Sequence, residues 1–189
     1  MKRIVMRVVA ALAVALVPAA AMADDITLSG DPITMDRLVD HTEVIRVVDA
    51  IDAAVDAKAW DVARSHFTEM VDVDFTGLIG GEPATIPADG LIGGWSTNLT
   101  ANKPSFHLRG NHRVTFTGTD TAVVLSHGYA WNMMEEGAMP ENGSDPLWEV
   151  WGGYEHGLVR TDGVWRVRTM SFFPWAERGN PFVRNTPGT

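Results

Sequence analysis

Hydrophobic residues in the first half of the chain recur at steps of three and four positions. One such series is Leu38, Val44, Ile45, Val48, Ile51 and Val55. This spacing puts the apolar side chains on one face and predicts an amphipathic helix over residues 34–57, with Thr34 as its N-cap. Similar spacing predicts a short helix at 60–68 and a third at 87–101, although the pair Gly93-Gly94 lowers the helix propensity of the third.

Apolar and polar residues alternate beyond Pro104, which is typical of β-strands. Strands are predicted at 70–75, 105–117, 121–133, 148–160 and 164–173. The sequence Thr161-Asp162-Gly163 between the last two strands is typical of a hairpin turn. Gly and Pro residues predict a loop over 77–87, and the acidic segment 134–147 predicts a second, longer loop.

Helices followed by a meander of long antiparallel strands predict a single α+β domain. A strongly bent sheet can wrap around about three N-terminal helices and leave a pocket at its open end. We therefore expect one domain over residues 34–176. The C-terminal tail at 177–189 is expected to be frayed from Asn180 onward.

The first 23 residues have the pattern of a secretory signal peptide. Three cations precede an apolar run over residues 8–17, and a stretch of small residues ends in Ala21-Met22-Ala23. The run is shorter than the roughly 20 residues that a membrane-spanning helix needs. We expect cleavage after Ala23, a linker at 24–33, and a periplasmic or secreted protein that does not associate with a membrane.

The composition limits the kinds of partner that the mature chain can bind. Residues 1–23 hold three cations and no acid, so their removal leaves 166 residues and changes the formal net charge from −9 to −12. Nucleic acid binding needs a basic surface, and we expect none here. Cysteine is absent, so the core alone must stabilise the domain, as a chain of about 150 residues can do.

Asp56 and His107 are the residues with the clearest chemical potential. Asp56 falls at the C-terminal end of the first predicted helix, where the helix dipole disfavours a carboxylate. A hydrogen bond from His107 would stabilise it and fix the imidazole tautomer, as acid–base chemistry requires. Asn111 shares a face with His107 if the strand has no bulge, and its amide could hold a substrate oxygen. A solvated Asp and a structural His are the plainer interpretations.

Aromatic residues on two later strands predict a pocket wall. His127, Tyr129 and Trp131 share one face of the predicted strand 121–133, and Tyr154 lies on the next strand. Rings with a few polar groups are typical of small-molecule sites. The same pattern also suits an ordinary core or a dimer interface. Asp52, one turn before Asp56, is predicted to lie at the surface.

The order of elements and three local motifs carry a family resemblance. The motifs are Asp56-Ala57-Lys58-Ala59-Trp60-Asp61, Phe106-His107-Leu108-Arg109-Gly110-Asn111 and Asp162-Gly163-Val164-Trp165-Arg166-Val167. They resemble the Asp-x-x-x-Trp-Asp, His-x-x-x-Asn and closing hairpin motifs of SnoaL-like proteins of the nuclear-transport-factor-2-like (NTF2-like) superfamily. Within it they resemble the scytalone-dehydratase-like branch. The resemblance covers about residues 35–175 and implies a cone-shaped NTF2-like fold.

The resemblance also implies a site. In the scytalone-dehydratase-like branch an Asp on the first helix orients a His on the sheet, and this His is the acid or base that eliminates water. Asp56 and His107 match these two residues. Val55 and Phe75 stand where that branch has pocket tyrosines, and Gly152 is near its pocket serine. Val55 and Phe75 are expected to line the pocket, and a homodimer through the sheet is implied.

Two functions follow from the sequence. It contains no metal-ligand cluster, phosphate loop, dinucleotide motif or nucleophile elbow, so no metal and no cofactor are expected. The first function is a cofactor-free lyase, isomerase or hydrolase for a small apolar or cyclic molecule, in which His107 transfers the proton and Asp56 orients it. The alternative is a non-catalytic module that binds a small ligand or pairs with another chain.

Overall fold

The computed structural model describes residues 29–135, 138–139 and 145–188. The predicted signal peptide, much of the predicted linker and part of the acidic loop lie outside these ranges. Among the described residues, no helix is long and apolar enough to cross a membrane. The described part of the chain forms an α+β fold with five helices and six strands.

The predicted helices are present, with shifted ends. The five helices are α1 (Leu38–Asp56), α2 (Trp60–Ser65), α3 (Thr76–Ile79), α4 (Ala88–Asn98) and α5 (Pro181–Asn185). The prediction that Thr34 caps the first helix is wrong, because α1 begins after a turn in which Arg37 N donates to Thr34 O at 3.1 Å. The Thr34 hydroxyl hydrogen bonds to Asp36 in this turn instead of capping α1.

The six strands form one curved, unclosed sheet. They are β1 (Phe67–Asp74), β2 (Ala84–Pro87), β3 (Ser105–Phe116), β4 (Thr121–Met133), β5 (Leu147–Thr161) and β6 (Val164–Gly179), in the order β2-β1-β6-β5-β4-β3. All neighbours are antiparallel except β1 and β6, which are parallel, so the prediction of a wholly antiparallel sheet needs this correction. The predicted loop over 77–87 contains part of α3 and the edge strand β2.

The last strand runs beyond its predicted end at residue 173. Pro174 suggested a break, because proline cannot donate to a strand ladder. A bulge accommodates it, since Gly152 pairs with Pro174 and Trp151 pairs with Ala176, leaving Trp175 unopposed. The strand therefore continues to Gly179.

The prediction of a frayed tail from Asn180 is wrong. Asn180 caps α5 by accepting a hydrogen bond from Phe182 N at 3.0 Å, and proline at position 181 favours the first turn. Val183 on α5 is 0% exposed and packs in a cluster with Trp148 and Phe172. Apolar burial therefore orders the end of the chain.

The core lies between the inner face of the sheet and the N-terminal helices. Helix α1 contributes a buried apolar stripe: Val44, Val47, Val48, Ile51 and Val55. Alternate residues of β4 and β5, including Val124 and Leu158, face this stripe. The curved sheet does not pack completely against the helices, and a cavity remains between its inner face and α1.

Candidate functional site

A cavity of about 480 Å³ lies between the inner sheet face and helices α1 and α4. Most of its wall is apolar, and its side chains come from α1, α3, α4 and α5 and from all six strands. Its polar lining residues are Asp52, Asn98, His107, Asn132, Tyr154 and Arg184. A mainly apolar cavity with a few polar groups suits a small organic ligand.

Asp56 and His107 are hydrogen bonded at this cavity. His107 Nδ1 lies 2.7 Å from Asp56 Oδ1, and the backbone N–H of His107 donates to Asp56 Oδ2 at 2.7 Å. Both partners come from element ends: Asp56 ends α1, and His107 lies near the start of β3. An ionised carboxylate only accepts hydrogen bonds, so Nδ1 carries the proton in the neutral ring.

Two further residues support the Asp56 carboxylate. Ser105 Oγ donates to Asp56 Oδ1 at 2.9 Å, and Lys58 Nζ donates to Ser105 Oγ at 2.8 Å. Burial opposes the ionisation of Asp56, but the hydrogen bonds from His107 and Ser105 outweigh it and hold the Asp56 pKa below its usual value. Asp56 is therefore ionised beside His107 at neutral pH.

A second polar cluster begins at the cavity wall, where Asp52 lies, and extends behind it. Arg109 hydrogen bonds to both carboxylate oxygens of Asp52, with Arg109 Nη2 2.6 Å from Asp52 Oδ1. Arg109 Nη1 also lies 3.0 Å from Nε2 of His156, which is 0% exposed. Burial, and then the positive charge of Arg109, hold the His156 pKa well below its usual value, so His156 is neutral.

Tyr154 links this cluster to the cavity. The Arg109 guanidinium lies 4.0 Å from the centre of the Tyr154 ring, and the Phe172 ring lies 4.5 Å away. The ring occupies space above Gly128, where any Cβ would clash with it. Burial raises the Tyr154 pKa, so the phenol stays protonated and can donate a hydrogen bond.

Five of the predicted site residues meet at the cavity. Val55, Phe75, His107 and Tyr154 line it, and Asp56 lies behind His107. Gly152 cannot be replaced by the pocket serine of the scytalone-dehydratase-like branch without repacking, because a Cβ there would lie 2.5 Å from the Phe172 ring. The Phe172 ring and the Phe173 carbonyl oxygen, also at 2.5 Å, thus occupy the space beside Gly152.

The prediction that Asn111 lines the pocket is wrong. The pairing of β3 with β4 shifts between Gly110 and Arg113, and Asn111 has a φ of 53°. This bulge turns Asn111 away from the face of His107. Its amide lies 3.0 Å from His127 Nδ1 on the exposed side of the sheet.

The prediction that His127, Tyr129 and Trp131 line the pocket is also wrong. On β4 the even-numbered residues are the inward ones: Ala122, Val124, Ser126, Ala130 and Asn132. On the outer face, Tyr129 donates to Glu149 at 2.7 Å and Trp131 stacks on Phe106 at 6.1 Å. The cavity and the Tyr154 ring take up the space inside β4, so its inward residues are small. The larger residues of β4 lie on the outer face.

Several site residues were missed or misplaced by sequence reasoning. Asp52 was predicted at the surface, yet it is 8% exposed and paired with Arg109. Its position one turn before Asp56 was the available signal. Asn132 and Arg109 could not be identified as site residues from the sequence. Their identification requires knowing which face of β4 is inward and what the end of β3 contacts. Among the described residues, no group of three or more His, Cys, Asp or Glu side chains could hold a metal ion.

The sequence of the chain matches a known family of domains. The family model of the SnoaL-like domain matches residues 36–171. The chain belongs to the SnoaL-like family. A comparison with curated proteins gave no match.

Three solved structures illustrate the SnoaL-like fold. The Kfla4162 protein from Kribbella flavida has a TM-score of 0.71 and 24% identity, covering 79% of this chain and 99% of that chain. A candidate scytalone dehydratase from Novosphingobium aromaticivorans has a TM-score of 0.64 and 18% identity, covering 78% and 92%. A hexachlorocyclohexane dehydrochlorinase (LinA) type 2 has a TM-score of 0.63 and 16% identity, covering 77% and 92%. At these identities the likeness establishes the fold.

Proposed function

We propose that the protein is a cofactor-independent lyase that removes a proton from a small, largely apolar cyclic substrate. His107 is the base, and Asp56 orients its ring. The SnoaL-like neighbours named for dehydration and dehydrochlorination support this class of reaction, since both names describe eliminations.

The observation that carries this proposal is the hydrogen bond of 2.7 Å between His107 Nδ1 and Asp56 Oδ1 at the cavity wall. With Nδ1 committed to the carboxylate, Nε2 is the nitrogen with a lone pair for a substrate proton. Within the described residues, Nε2 has no hydrogen-bond partner. Such a pair fixes the tautomer of the ring and places a carboxylate beside the imidazolium once it forms.

The elimination balances without any further reagent. His107 Nε2 takes a proton from a substrate carbon, and the electrons of that C–H bond form a C=C bond. The bond from the adjacent carbon to its leaving group breaks, and the leaving group departs with that electron pair. Asp56 stays ionised and stabilises the positive ring. His107 then returns its proton to the leaving group or to water.

Tyr154 is the second polar group available to the substrate. Its protonated phenol can donate a hydrogen bond to the leaving group, whose negative charge grows as the bond breaks. The buried pair of Arg109 and Asp52 fixes the Tyr154 ring through the contact of 4.0 Å with the guanidinium. A neutral His156 adds no further charge to this side of the cavity.

Non-catalytic ligand binding is the alternative. The mainly apolar cavity wall suits a binding protein as well as it suits an enzyme. Turnover separates the two. A screen of cyclic alcohols, ketones and chlorides, followed by product mass spectrometry, would identify the substrate. Relative to wild type, His107→Ala is expected to lower kcat/KM by about 10²- to 10⁴-fold, the usual contribution of a general base. Asp56→Asn is expected to lower it as well.

His112→Ala is the matched control. His112 Nε2 lies 2.9 Å from Asp49 Oδ1, so this is another His–Asp pair, but it does not line the cavity. This variant should keep wild-type turnover. Wild-type turnover in both His107→Ala and Asp56→Asn would refute the proposed base, and ligand binding without turnover would support the alternative.

A further inference from the structure

We propose that the Asn132 side chain binds an oxygen atom of the ligand, so that the cavity selects an oxygenated ring over a hydrocarbon of the same shape. This inference rests on the proposed function, because it assigns the substrate class of the same cavity. It adds a specificity-determining residue that the sequence did not indicate.

Asn132 is a buried amide with an unmet hydrogen-bonding capacity. It lines the cavity and is 8% exposed, and its Oδ1 has no hydrogen-bond partner among the described residues. Buried polar atoms in folded proteins are nearly always paired, because an unpaired one loses its water without compensation. Rotation about the Cβ–Cγ bond exchanges the two ends of the amide, so the side chain can offer a ligand either a donor or an acceptor.

The neighbouring strands cannot supply the missing partner. Asn132 pairs with Ser105 on β3 and with Trp148 on β5. The Ser105 hydroxyl already donates to Asp56 and accepts from Lys58. The Trp148 indole N–H donates to Glu177 at 3.0 Å. The site is therefore built to leave this amide available.

The register puts Asn132 beside the proposed base. His107 pairs with Ala130, so His107 and Asn132 are diagonal neighbours on the inner face of two adjacent strands. Diagonal neighbours lie roughly 7–8 Å apart, a distance that one small ring can span. A ring carbon can thus reach His107 while a carbonyl or hydroxyl oxygen of the same ring reaches Asn132.

This arrangement also has a chemical consequence. A carbonyl that accepts a hydrogen bond from the Asn132 amide would withdraw electrons from the neighbouring carbon. The C–H bond that faces His107 would then lose its proton more readily. A purely hydrocarbon or chlorinated ring would leave the amide unpaired.

The test compares 1-indanone with indane, two bicyclic probes that differ by a carbonyl in place of a methylene. Their dissociation constants would be measured by NMR titration with wild type, Asn132→Leu and His112→Ala. The ratio of the indane constant to the 1-indanone constant is expected to fall about two- to tenfold from wild type to Asn132→Leu, as the loss of one hydrogen bond predicts. His112→Ala should keep the wild-type ratio, because His112 does not line the cavity.

Folding of Asn132→Leu is checked by its melting temperature, which should be at least that of wild type because the substitution removes an unpaired buried amide. An equal ratio in wild type and Asn132→Leu, or no binding of either probe to wild type, would overturn the inference. Failure of the proposed base gives a different result: His107→Ala would keep turnover while the ratio still depended on Asn132.

Discussion

Asp56 is held by three hydrogen bonds to its two carboxylate oxygens, from Ser105 Oγ and from the side chain and backbone of His107. Each of them stabilises the ionised form. The carboxylate therefore serves two purposes at once, because it joins the end of α1 to the start of β3 and it fixes the His107 ring. Its charge should contribute to both stability and activity.

The pH dependence of stability tests this dual role. Asp56→Asn is expected to lower the free energy of unfolding by about 1.5–3 kcal/mol at neutral pH, the usual range for hydrogen bonds to a charged group. The folded state lowers the Asp56 pKa, so this stabilisation is fully present above the unfolded value of 3.8 and is lost as the pH falls through the folded value. Urea unfolding of both proteins across the acid range measures the difference, which should shrink below pH 3.8. A difference independent of pH would contradict it.

Gly152 provides a packing test at the residue scale. Gly152→Ser should lower the free energy of unfolding by about 1–3 kcal/mol, because the new Cβ would lie 2.5 Å from the Phe172 ring. The control is Gly153→Ser, whose Cβ meets the exposed Trp175 side chain at 3.1 Å and should cost about 0.5 kcal/mol or less. Equal costs in chemical denaturation would show that the Phe172 ring does not fill this space.

At the level of elements, strand positions could be predicted from alternation but strand faces could not. The ends of β3, β4 and β5 agree closely with the predicted strands. On β4, however, the large residues Tyr129 and Trp131 lie outside, and small or polar residues line the cavity. A pocket reverses the usual rule that the more apolar face is inward, because empty space and the Tyr154 ring replace side-chain volume. The bulge at Asn111 likewise depends on how β3 pairs with β4, which the local sequence pattern does not show.

Helix α5 should be an integral part of the domain. Besides the burial of Val183, Lys103 Nζ donates to Asn98 Oδ1 at 2.7 Å and to Thr186 O at 2.8 Å, which joins α4 to the end of the chain. Arg184 of α5 lines the cavity. The C-terminal segment thus helps to close the ligand site.

A core substitution on α5 measures this contribution. Val183→Ala should lower the free energy of unfolding by about 1–3 kcal/mol and the hydrogen-exchange protection of residues 181–185. Val62→Ala on α2 is the control, because Val62 is 52% exposed and should cost about 0.5 kcal/mol or less. Similar small effects for both variants would mean that α5 is not packed on the domain.

At the scale of the whole molecule, the fold class could be predicted from the sequence. The order of helices and strands along the chain limits how they can pack together. Helices followed by a strand meander allow few topologies, and three motifs in the right order carried the family resemblance. The reaction has less support in the sequence, since it depends on Tyr154, Asn132 and the pair of Arg109 and Asp52. Strand pairing brings Arg109, Asn132 and Tyr154 together, and the packing of α1 on the sheet adds Asp52.

We propose that the protein acts outside the cytoplasm, following the signal peptide pattern of residues 1–23. Expression of the full chain in a Gram-negative host should yield a periplasmic protein that begins at Asp24, as intact-mass spectrometry would show. Substitution of both Ala21 and Ala23 by leucine should block cleavage. Recovery of the uncleaved wild-type chain from the cytoplasm would contradict export.

The central claim is that Asp56 holds Nδ1 of His107 and leaves Nε2 as the base that faces the ligand. Long-range ¹H–¹⁵N NMR of the histidine rings tests it without any knowledge of the substrate. In the neutral His107 ring, we predict a protonated Nδ1 and an unprotonated Nε2, with the Nδ1 signal shifted in Asp56→Asn and unchanged in Asp49→Asn. A His107 ring protonated at Nε2, with a bare Nδ1, would contradict the account.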